Sequence, residues 1–341
     1  MRIAQVAPPW LAVPPKGYGG IEWVVALAAD GLVERGHDVT LFATGDSVTK
    51  AKLEYVVETA PGPPAINSIV LDTTHTLKCF EDPSQFDVYH VHTPFSALTT
   101  GIESGVPVVH TLHGSFTDEM RDLYGRVGNR GWFVAISEAQ KNDMPELNYG
   151  GVVYNGIDID LYPLREKKED YLLFLGRAAR VKGLRRAVET ALLTGDHLVV
   201  AVKVANEDEF DEWAEVQKML PKDTEILYEI PLAQKNDLIA NAKAVLFPID
   251  WMEPFGLVMT ESMACGTPVI ATPRGSVPEV IVDGKTGFIV SVENYPEEAA
   301  AALQRLGEIS STECRAHVQG KFSKEAMVEG YEKVFERAIG K

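Results

Sequence analysis

Short apolar runs alternate with segments of helical periodicity along most of the chain. Residues 3–7 form the first apolar run, and residues 21–34 follow with apolar side chains at helical spacing, ending before Gly36. Another apolar run at residues 39–43 completes a strand–loop–helix–strand unit. This order predicts parallel α/β structure, in which loops at the carboxyl ends of the strands bind ligands.

Three further apolar runs predict strands of the same sheet, at residues 88–91, 106–111 and 132–136. A polar residue follows each of these runs closely, namely His92, His113 and Ser137. Because the carboxyl ends of parallel strands meet at one edge of a sheet, we expect these side chains to converge there. Residues 46–84 are mixed and polar, and their pattern does not order the elements that they contain.

A second alternating series begins after the charged run at residues 165–170, which is the best domain boundary. It predicts strands at residues 171–175, 197–204, 225–230, 244–248, 268–271 and 287–290. Helical spacing is found at residues 184–193, 208–220, 234–242 and from 296 onward. The predicted fold is therefore α/β, with two Rossmann-like doubly wound domains facing each other across a cleft, at residues 1–160 and 161–321.

The length and charge of the chain limit its partners. A chain of 341 residues suggests two domains of ordinary size. Its 49 acidic and 32 basic residues give a net charge of −17, which argues against nucleic-acid binding and leaves at most weak association with anionic membranes. We therefore expect an anionic substrate to be held by a few local cations and backbone amides. Sequence does not indicate an oligomeric state.

The cysteines and the apolar stretches indicate a compartment. Cys79, Cys265 and Cys314 are few and widely spaced, as in proteins with reduced thiols. The sequence shows no signal-peptide pattern and no apolar stretch of transmembrane length. These features predict a cytoplasmic protein without a transmembrane segment.

Two glycine-containing segments at strand ends are candidate phosphate sites. Residues 16–22 include Gly19 and Gly20 directly before a predicted helix, although the spacing is not that of a dinucleotide fingerprint. A plain turn explains this segment equally well. Residues 175–183 place Arg177 and Lys182 after a strand, where both cations suit phosphate oxygens. The alternative is an exposed helix cap.

The stretch around Glu253 and Glu261 carries two carboxylates beside a predicted helix that begins near residue 255. A strand, a turn with Pro254 and Gly256, and a helix can together hold an anion on free backbone amides. Solvated glutamates near a helix start are the alternative, which suits Glu253. Glu261 lies among apolar residues, and a carboxylate that accepts hydrogen bonds from two sugar hydroxyls explains it better.

Four histidines and a short acidic motif are candidate metal ligands. His90, His92, His110 and His113 lie near strand ends, but His110 and His113 do not share a strand face by alternation, so a metal site is disfavoured. The Asp158–Ile159–Asp160 sequence matches a metal–diphosphate motif formally. Its position beside a predicted linker favours chance or helix capping.

Several of these motifs together resemble those of a known protein family. The sequence Glu-Pro-Phe-Gly-Leu-Val from Glu253, with Glu-Ser-Met-Ala-Cys-Gly-Thr-Pro-Val-Ile from Glu261, resembles the retaining glycosyltransferases of family 4. These are the group 1, glycogen-synthase-like enzymes with the GT-B fold. Further elements occur in the family's order: Gly19-Gly20, His113-Gly114, Ser137-Glu138, Asn155-Gly156-Ile157-Asp158, Gly176-Arg177, Lys182-Gly183, Gly275-Ser276-Val277-Pro278-Glu279 and Thr286-Gly287-Phe288. The resemblance spans nearly the whole chain and is weakest over residues 46–84.

The resemblance implies a role for each matched residue. Arg177 and Lys182 would neutralise the donor diphosphate, and backbone amides would complete its cradle, at Gly19, Gly20, Phe255, Gly256, Leu257 and Val258. Glu261 would bind the ribose hydroxyls, Glu253 the donor sugar, and His113 would lie beside the reacting face. The base would pack near Tyr228 and Ile230. Acceptor-side or supporting positions would be Ser137, Asn155 and Arg121.

The resemblance also implies features of the mechanism and the fold. The acceptor would attack from the leaving-group side with retention of configuration, and no metal or tightly bound cofactor would be required. A C-terminal helix within residues 322–341 would cross back to the first domain. Val202 stands where relatives often have glycine, and either Tyr228 or Glu229 lies near another expected glycine. These departures put the identity of the nucleotide in question.

The sequence therefore predicts a retaining hexosyltransferase that moves a hexose from a nucleoside diphosphate sugar, UDP before GDP, to a hydroxyl acceptor. One alternative is a nucleotide-sugar epimerase on the same fold or a Rossmann oxidoreductase, for which the full glycine fingerprint is missing. The other is a non-catalytic nucleotide-sugar binding protein, which would bind UDP without turnover. The acceptor is not indicated by the residues.

Overall fold

The structure is a computed structural model that describes residues 1–17, 19–66, 68–92 and 95–340. The chain divides into two compact units. Unit 1 comprises Met1–Ile157 with Lys324–Lys341, and unit 2 comprises Asp158–Ser323. Each unit contains one sheet whose paired strands are all parallel, which confirms the predicted α/β class with two Rossmann-like halves.

Unit 1 has a seven-stranded sheet in the order β3-β2-β1-β4-β5-β6-β7. Its strands are β1 Arg2–Val6, β2 Asp38–Ala43, β3 Lys52–Tyr55, β4 Val88–Val91, β5 Val108–Thr111, β6 Trp132–Ala135 and β7 Tyr149–Val152. Its helices are α1 Gly20–Glu34, α2 Ile69–Cys79, α3 Phe95–Gly101, α4 Asp118–Val127 and α5 Glu138–Asp143, and the C-terminal helix Lys324–Ala338, labelled α13 below.

Unit 2 has a six-stranded sheet in the order β10-β9-β8-β11-β12-β13. Its strands are β8 Tyr171–Arg177, β9 His197–Lys203, β10 Glu225–Tyr228, β11 Ala244–Phe247, β12 Val269–Ala271 and β13 Gly287–Ile289. Its helices are α6 Leu184–Thr194, α7 Glu207–Gln217, α8 Leu232–Asn241, α9 Leu257–Ala264, α10 Val277–Val280, α11 Tyr295–Leu303 and α12 Ser311–Lys321.

Alternation along the central strands explains how each sheet is covered. In β1, Ile3 belongs to a core that also contains Val24 of α1 and Tyr331 of α13, whereas Ala4 and Val6 belong to the core on the opposite face. Because successive side chains of a strand point to opposite faces, a strand buried on both faces is apolar almost throughout. Short, continuous apolar runs therefore predict the strands of these two sheets.

The strand order creates a switch point in each sheet. In unit 1 the chain passes from β1 outward through β2 and β3, and then returns to the other side of β1 with β4. In unit 2, β8, β9 and β10 run outward before β11 returns beside β8. Loops that leave neighbouring strands in opposite directions open a crevice at this point, which is where doubly wound sheets bind ligands.

The structure corrects several element bounds. Residues 46–84 contain β3 and α2, which the pattern did not order. Strand β10 ends at Tyr228 instead of residue 230, because Glu229 has a φ of 45° and leaves the extended conformation. Helix α13 begins at Lys324 instead of residue 322, because Phe322 caps the carboxyl end of α12. Within the residues listed at the start of this section, no helix has the length and apolarity needed to span a membrane.

Two glycines with the same backbone conformation flank α6. Gly183 has φ 75° and ψ 23° at its start, and Gly195 has φ 73° and ψ 16° at its end. A Cβ atom on Gly183 would lie 1.9 Å from the carbonyl oxygen of Pro248, whereas a Cβ atom on Gly195 would have no neighbour within 4 Å. Only Gly183 therefore holds the chain that leaves β11 against the start of α6.

Alanine substitutions at Gly183 and Gly195 should distinguish the free-energy cost of backbone strain from that of a close contact between chain segments. Gly195→Ala should lower the free energy of unfolding by about 1 kcal/mol, the cost of a left-handed residue with a side chain. Gly183→Ala should lower it by about 3 kcal/mol or more, because the Pro248 carbonyl must also move. Urea denaturation of both variants measures the difference. Equal losses would show that the contact with Pro248 does not constrain the loop.

Candidate active site

Three of the four charged residues predicted from the sequence, Arg177, Lys182 and Glu253, lie on the chain segments that leave the switch point of unit 2. Strands β8 and β11 pair directly, with Leu173 opposite Val245. Strand β8 ends at Arg177 and continues into the turn that contains Lys182, while the chain after β11 runs through Glu253 to the start of α9. The sheet topology therefore explains why residues far apart in sequence meet.

Lys182 and Glu253 form the centre of this site. The Lys182 ammonium donates a hydrogen bond to Oε2 of Glu253 at 2.7 Å, and the indole Nε1 of Trp251 donates to the same oxygen at 3.0 Å. The ammonium also lies 4.3 Å from the centroid of the Trp251 ring. The Lys182 side chain is 22% exposed and that of Glu253 10%, so the pair is largely shielded from water while the lysine stays accessible. Trp251 was not assigned a role from the sequence.

The backbone around Glu253 is held by a second glycine contact. Gly275 has a φ of 55°, and a Cβ atom on it would lie 2.2 Å from the carbonyl oxygen of Glu253. The next residue, Ser276, donates from its backbone N–H to the same carbonyl at 3.0 Å and from its hydroxyl to the Phe255 carbonyl at 2.7 Å. The loop before α9 is thus fixed by main-chain contacts as well as by the ion pair.

Helix α9 begins at Leu257 after Gly256, which has a φ of 78° and provides no side-chain cap. The first amide groups of a helix have no carbonyl partner within it, and they carry a partial positive charge that favours anions. Phe255 is buried against Phe322, with ring centroids 5.8 Å apart, and fixes the approach of the chain to the helix. The amides of Leu257 and Val258 therefore begin a helix that lacks a side-chain cap.

Arg177 has a protein partner that sequence reasoning missed. Its guanidinium forms an ion pair with Glu209, which is 2% exposed and also accepts a hydrogen bond from the Ala205 N–H at 2.8 Å. The buried Nε of Arg177 has no partner among the described residues. Glu209 lies in an acidic first turn of α7, a pattern that could have indicated a partner for a nearby cation.

Glu261 lies in a separate polar cluster. Its Oε1 accepts hydrogen bonds from the Lys235 ammonium at 2.6 Å and from the Tyr162 hydroxyl at 3.1 Å. Glu261 is 6% exposed, and these two hydrogen bonds offset the cost of burying its carboxylate among apolar neighbours. Burial, followed by the charge of Glu261, raises the pKa of Tyr162 well above its ordinary value. Sequence reasoning identified the carboxylate but neither of these partners.

The segment predicted to hold the base has an unusual backbone. Tyr228 is half exposed, and its hydroxyl accepts a hydrogen bond from the indole of Trp213 at 3.1 Å. Glu229 has the only positive φ of a non-glycine residue among those described, at 45°. Such a conformation costs about 1–3 kcal/mol and is typical of functional sites. Ile230 is partly buried beside it.

In unit 1, Gly19 and Gly20 begin α1 at the switch point. Gly20 is the first residue of the helix, and Gly19 precedes it without a side-chain cap. A Cβ atom on Gly19 would lie 2.7 Å from Oε2 of Glu22, whose carboxyl group is buried and has a raised pKa because of that burial. The neighbouring Tyr18 lies outside the described residues.

His113 is joined to a buried polar chain in unit 1. Its Nε2 lies 2.8 Å from Nδ1 of His92, and Nε2 of His92 lies 2.8 Å from Nε2 of Gln5. Burial lowers the pKa of His113 to about 3 and that of His92 well below its ordinary value, so both rings are neutral at physiological pH. His110 lies apart, 3.3 Å from the Tyr124 hydroxyl. Among the described residues, no group of His, Cys, Asp and Glu has the arrangement of a metal site.

The acceptor-side residues and the acidic motif have local partners. Ser137 caps α5 by accepting a hydrogen bond from the Gln140 N–H at 3.0 Å. Arg121 forms an ion pair with Asp143 at 2.7 Å. Asp158 accepts a hydrogen bond from the Asp160 N–H at 3.1 Å, which is the capping arrangement that the sequence favoured over a metal site.

Asn155 is the acceptor-side residue without a complete set of partners. It is 5% exposed, and its side-chain oxygen Oδ1 is buried with no hydrogen-bond partner among the described residues. A buried amide oxygen without a partner carries a free-energy cost, so Asn155 differs from Ser137 and Arg121, whose contacts explain their presence.

Two Rossmann-like units with parallel sheets in one chain are the architecture of the GT-B glycosyltransferases. Two family models match adjacent parts of the chain, "Glycosyltransferase Family 4" over residues 18–161 and "Glycosyl transferases group 1" over residues 162–321. The chain belongs to the group 1, family 4 glycosyltransferases. It is therefore an enzyme of the transferase class, and the family resemblance seen in the sequence is confirmed.

Three known proteins are similar to this chain in sequence or fold. The phosphatidyl-myo-inositol mannosyltransferase of Mycolicibacterium smegmatis is 28% identical over 336 residues, covering 89% of this chain and 84% of the relative. The crystal structure of AviGT4, a glycosyltransferase of avilamycin A biosynthesis, is 25% identical with a TM-score of 0.75, covering 99% of this chain and 98% of AviGT4. Anabaena HepE, solved with UDP and glucose, shares the fold at 17% identity with a TM-score of 0.74, covering 99% and 100% of the two chains.

The buried histidines make stability depend on pH. Burial lowers the pKa of His110 to about 4, whereas the unfolded chain takes up the proton near its ordinary value of 6.5. The unfolded state therefore binds more protons as pH falls from about 6.5 to 4, and the free energy of unfolding should fall by about 1.4 kcal/mol per pH unit for this residue. Urea denaturation between these pH values measures the slope.

His110→Gln should reduce that slope by the contribution of one proton. His75→Gln is a matched variant, because burial lowers the pKa of His75 to about 4 as well, in a different part of unit 1. The two variants should reduce the slope equally. A wild-type slope in both would show that these histidines are not buried as neutral groups.

Proposed function

We propose that this glycosyltransferase transfers a hexose from a nucleoside diphosphate sugar to a hydroxyl acceptor with retention of configuration, and that UDP is preferred over GDP. The observation that carries the proposal is the meeting of Lys182, Glu253 and the uncapped start of α9 at the switch point of unit 2. A cation beside free helix amides suits a diphosphate, and a carboxylate beside them suits sugar hydroxyls.

Lys182 is the group that would serve the leaving diphosphate. Without a donor its charge is balanced by Glu253 and by the face of Trp251. An ammonium has three donors, so Lys182 can keep its bond to Glu253 and still reach phosphate oxygens. As the glycosidic bond breaks, negative charge grows on the diphosphate, and a fixed cation stabilises that charge most in the transition state. Arg177 would act beside it from its pair with Glu209.

The two carboxylates would divide between the two ends of the donor. Glu253, whose Oε2 is held by Lys182 and Trp251, would accept a hydrogen bond from a hydroxyl of the transferred sugar. Glu261 of α9, which is held by Lys235 and Tyr162, would accept hydrogen bonds from the ribose. Tyr228 and Ile230 would pack near the base. The family resemblance implies that Gly19, Gly20 and His113 also contact the donor. The HepE complex with UDP and glucose supports UDP as the nucleotide.

Retention in this proposal does not require a covalent enzyme intermediate. A double-displacement glycosidase uses a carboxylate nucleophile, whereas here Glu253 is engaged by Lys182 and Trp251 and would position the sugar. The acceptor hydroxyl would attack from the side that the diphosphate leaves, and its proton would pass to a phosphate oxygen. We also propose that transfer needs no divalent metal, because Lys182, Arg177 and helix amides would supply the positive charge.

The two alternatives raised by the sequence predict different outcomes from those of glycosyl transfer. A nucleotide-sugar epimerase would release an altered hexose without transfer to an acceptor, and a non-catalytic binding protein would bind UDP without turnover. Thermal-shift screening of nucleotide sugars first identifies the donor. The protein is then incubated with that donor, with and without EDTA, to distinguish the three functions. The proposal predicts that the donor is cleaved equally well in both conditions and that the configuration of the hexose is unchanged.

With the donor known, the two carboxylates should have different kinetic effects. Glu261→Ala should raise the donor KM by about 10- to 100-fold, because a charged hydrogen-bond acceptor to the ribose is lost in ground and transition states alike. Glu253→Ala should mainly lower kcat, by about 100-fold, because its contact is with the sugar at which charge develops. Steady-state donor hydrolysis or transfer measures both constants.

Asp196→Asn is the matched control. Asp196 is a partly buried aspartate of unit 2 that pairs with Lys243. Both residues directly precede strands, β9 and β11, and so lie at the edge of the sheet opposite the candidate site. The Asp196 substitution removes a comparable ion pair and should leave the donor KM and kcat close to those of the wild type. Wild-type kinetics in both the Glu253 and the Glu261 variants would overturn the assignment of the site.

A further inference from the structure

A continuous chain of hydrogen-bonding groups runs from His113 into the core of unit 1. It passes from His113 to His92 and Gln5, as described above, and continues from Oε1 of Gln5 to Nδ1 of His90 at 3.0 Å. Nε2 of His90 lies 2.8 Å from the Thr111 hydroxyl, which lies 3.5 Å from the Tyr331 hydroxyl of α13. Gln5 is completely buried in β1, between the two histidines.

The amide of Gln5 determines where the protons of this chain reside. A neutral imidazole has one donor nitrogen and one acceptor nitrogen. Nε2 of Gln5 donates to Nε2 of His92, so the proton of His92 lies on Nδ1 and is donated to Nε2 of His113. His113 must then carry its own proton on Nδ1. In the other direction, Oε1 of Gln5 accepts the Nδ1 proton of His90, so Nε2 of His90 accepts the proton of the Thr111 hydroxyl at 2.8 Å. That proton is then not available for the longer contact of 3.5 Å with Tyr331.

Packing alone does not explain an amide at this position. A buried amide costs free energy unless its groups are hydrogen-bonded, and an apolar side chain would fill the same space without that requirement. Gln5 meets the requirement only by engaging both histidines. The rings of His92 and His113 are nearly parallel, with 23° between their planes, so the proton of His92 points along the line between them.

We propose that Gln5 is a positioning residue that fixes His113 in the Nδ1–H tautomer, so that His113 donates a hydrogen bond to an oxygen of the donor sugar. Nδ1 of His113 has no hydrogen-bond partner among residues 1–17, 19–66, 68–92 and 95–340, and His113 is partly exposed. Contact between His113 and the sugar rests on the proposed function. The tautomer of His113 does not, because it follows from the hydrogen bonds within unit 1.

Nitrogen-15 NMR of protein labelled at histidine tests the tautomer directly. Long-range proton–nitrogen correlations show which ring nitrogen carries the proton, and the His113 signals are assigned by their loss in His113→Gln. In the wild-type protein without substrate, we expect His113 and His92 both to be protonated on Nδ1. Protonation of His113 on Nε2 would overturn the proposal, whatever the enzyme's activity.

Gln5→Met removes both amide groups while keeping the length of the side chain. The tautomer of His92 is then no longer imposed, and His113 should show both tautomers. Tyr331→Phe is the control, because it removes a hydroxyl from the far end of the same chain and should leave His113 protonated on Nδ1. A single Nδ1–H tautomer in Gln5→Met would contradict a positioning role for Gln5, even if the variant were less stable.

The kinetic consequence is measured separately. In Gln5→Met, kcat should fall by about tenfold, the effect of losing one hydrogen bond in the transition state, while the donor KM stays within about twofold. An altered tautomer with unchanged kcat would show that Gln5 orients His113 but that His113 does not contact the sugar. That result would refute the proposed role of His113 and leave its tautomer assignment intact.

Discussion

The site in unit 2 depends on one backbone constraint, the close approach of two glycines to the chain that follows β11. Gly183 contacts the carbonyl of Pro248, and Gly275 contacts the backbone of Glu253, at distances that leave no room for a Cβ atom. These contacts fix the main chain at Pro248 and at Glu253 independently of side-chain interactions. The ion pair between Lys182 and Glu253 then needs little further ordering, because both residues adjoin a fixed point. A site whose groups are ordered in advance loses less entropy when a ligand binds.

The switch points of the two units carry different kinds of polar group. Unit 2 places charged groups at its switch point, and each carboxylate is held by a cation and a neutral donor: Glu253 by Lys182 and Trp251, Glu261 by Lys235 and Tyr162. Unit 1 places neutral groups there, since burial keeps His92 and His113 unprotonated. Fixed charges suit a diphosphate that gains charge during transfer, and neutral donors suit the hydroxyl groups of a sugar.

Much of this arrangement could be predicted from the sequence, for physical reasons that also explain the omissions. Strand β11 was predicted to within one residue of its observed bounds because a strand buried on both faces is continuously apolar. Strand β3 was missed because it lies at the edge of the sheet and none of its residues is fully buried. Strand β7 was also missed, because its sequence has no apolar pattern. It contains Gly150, which packs against Val334 of α13. Lys182 and Glu253 could be placed at one site because parallel strands end at one edge of a sheet. The partners Glu209 of Arg177 and Gln5 of His92 depend on side-chain contacts between distant elements, which a single sequence does not display.

The central claim is that Lys182, beside Glu253 and the start of α9, holds the diphosphate of the donor. Isothermal titration of UDP into the wild-type protein and into Lys182→Met tests this claim most directly. We predict that the Kd of the variant is at least about tenfold higher, as expected for the loss of a charge-assisted contact with phosphate. Lys222→Met, at an exposed lysine of unit 2, should bind UDP as the wild type does. An unchanged Kd in a folded Lys182→Met variant would contradict the account.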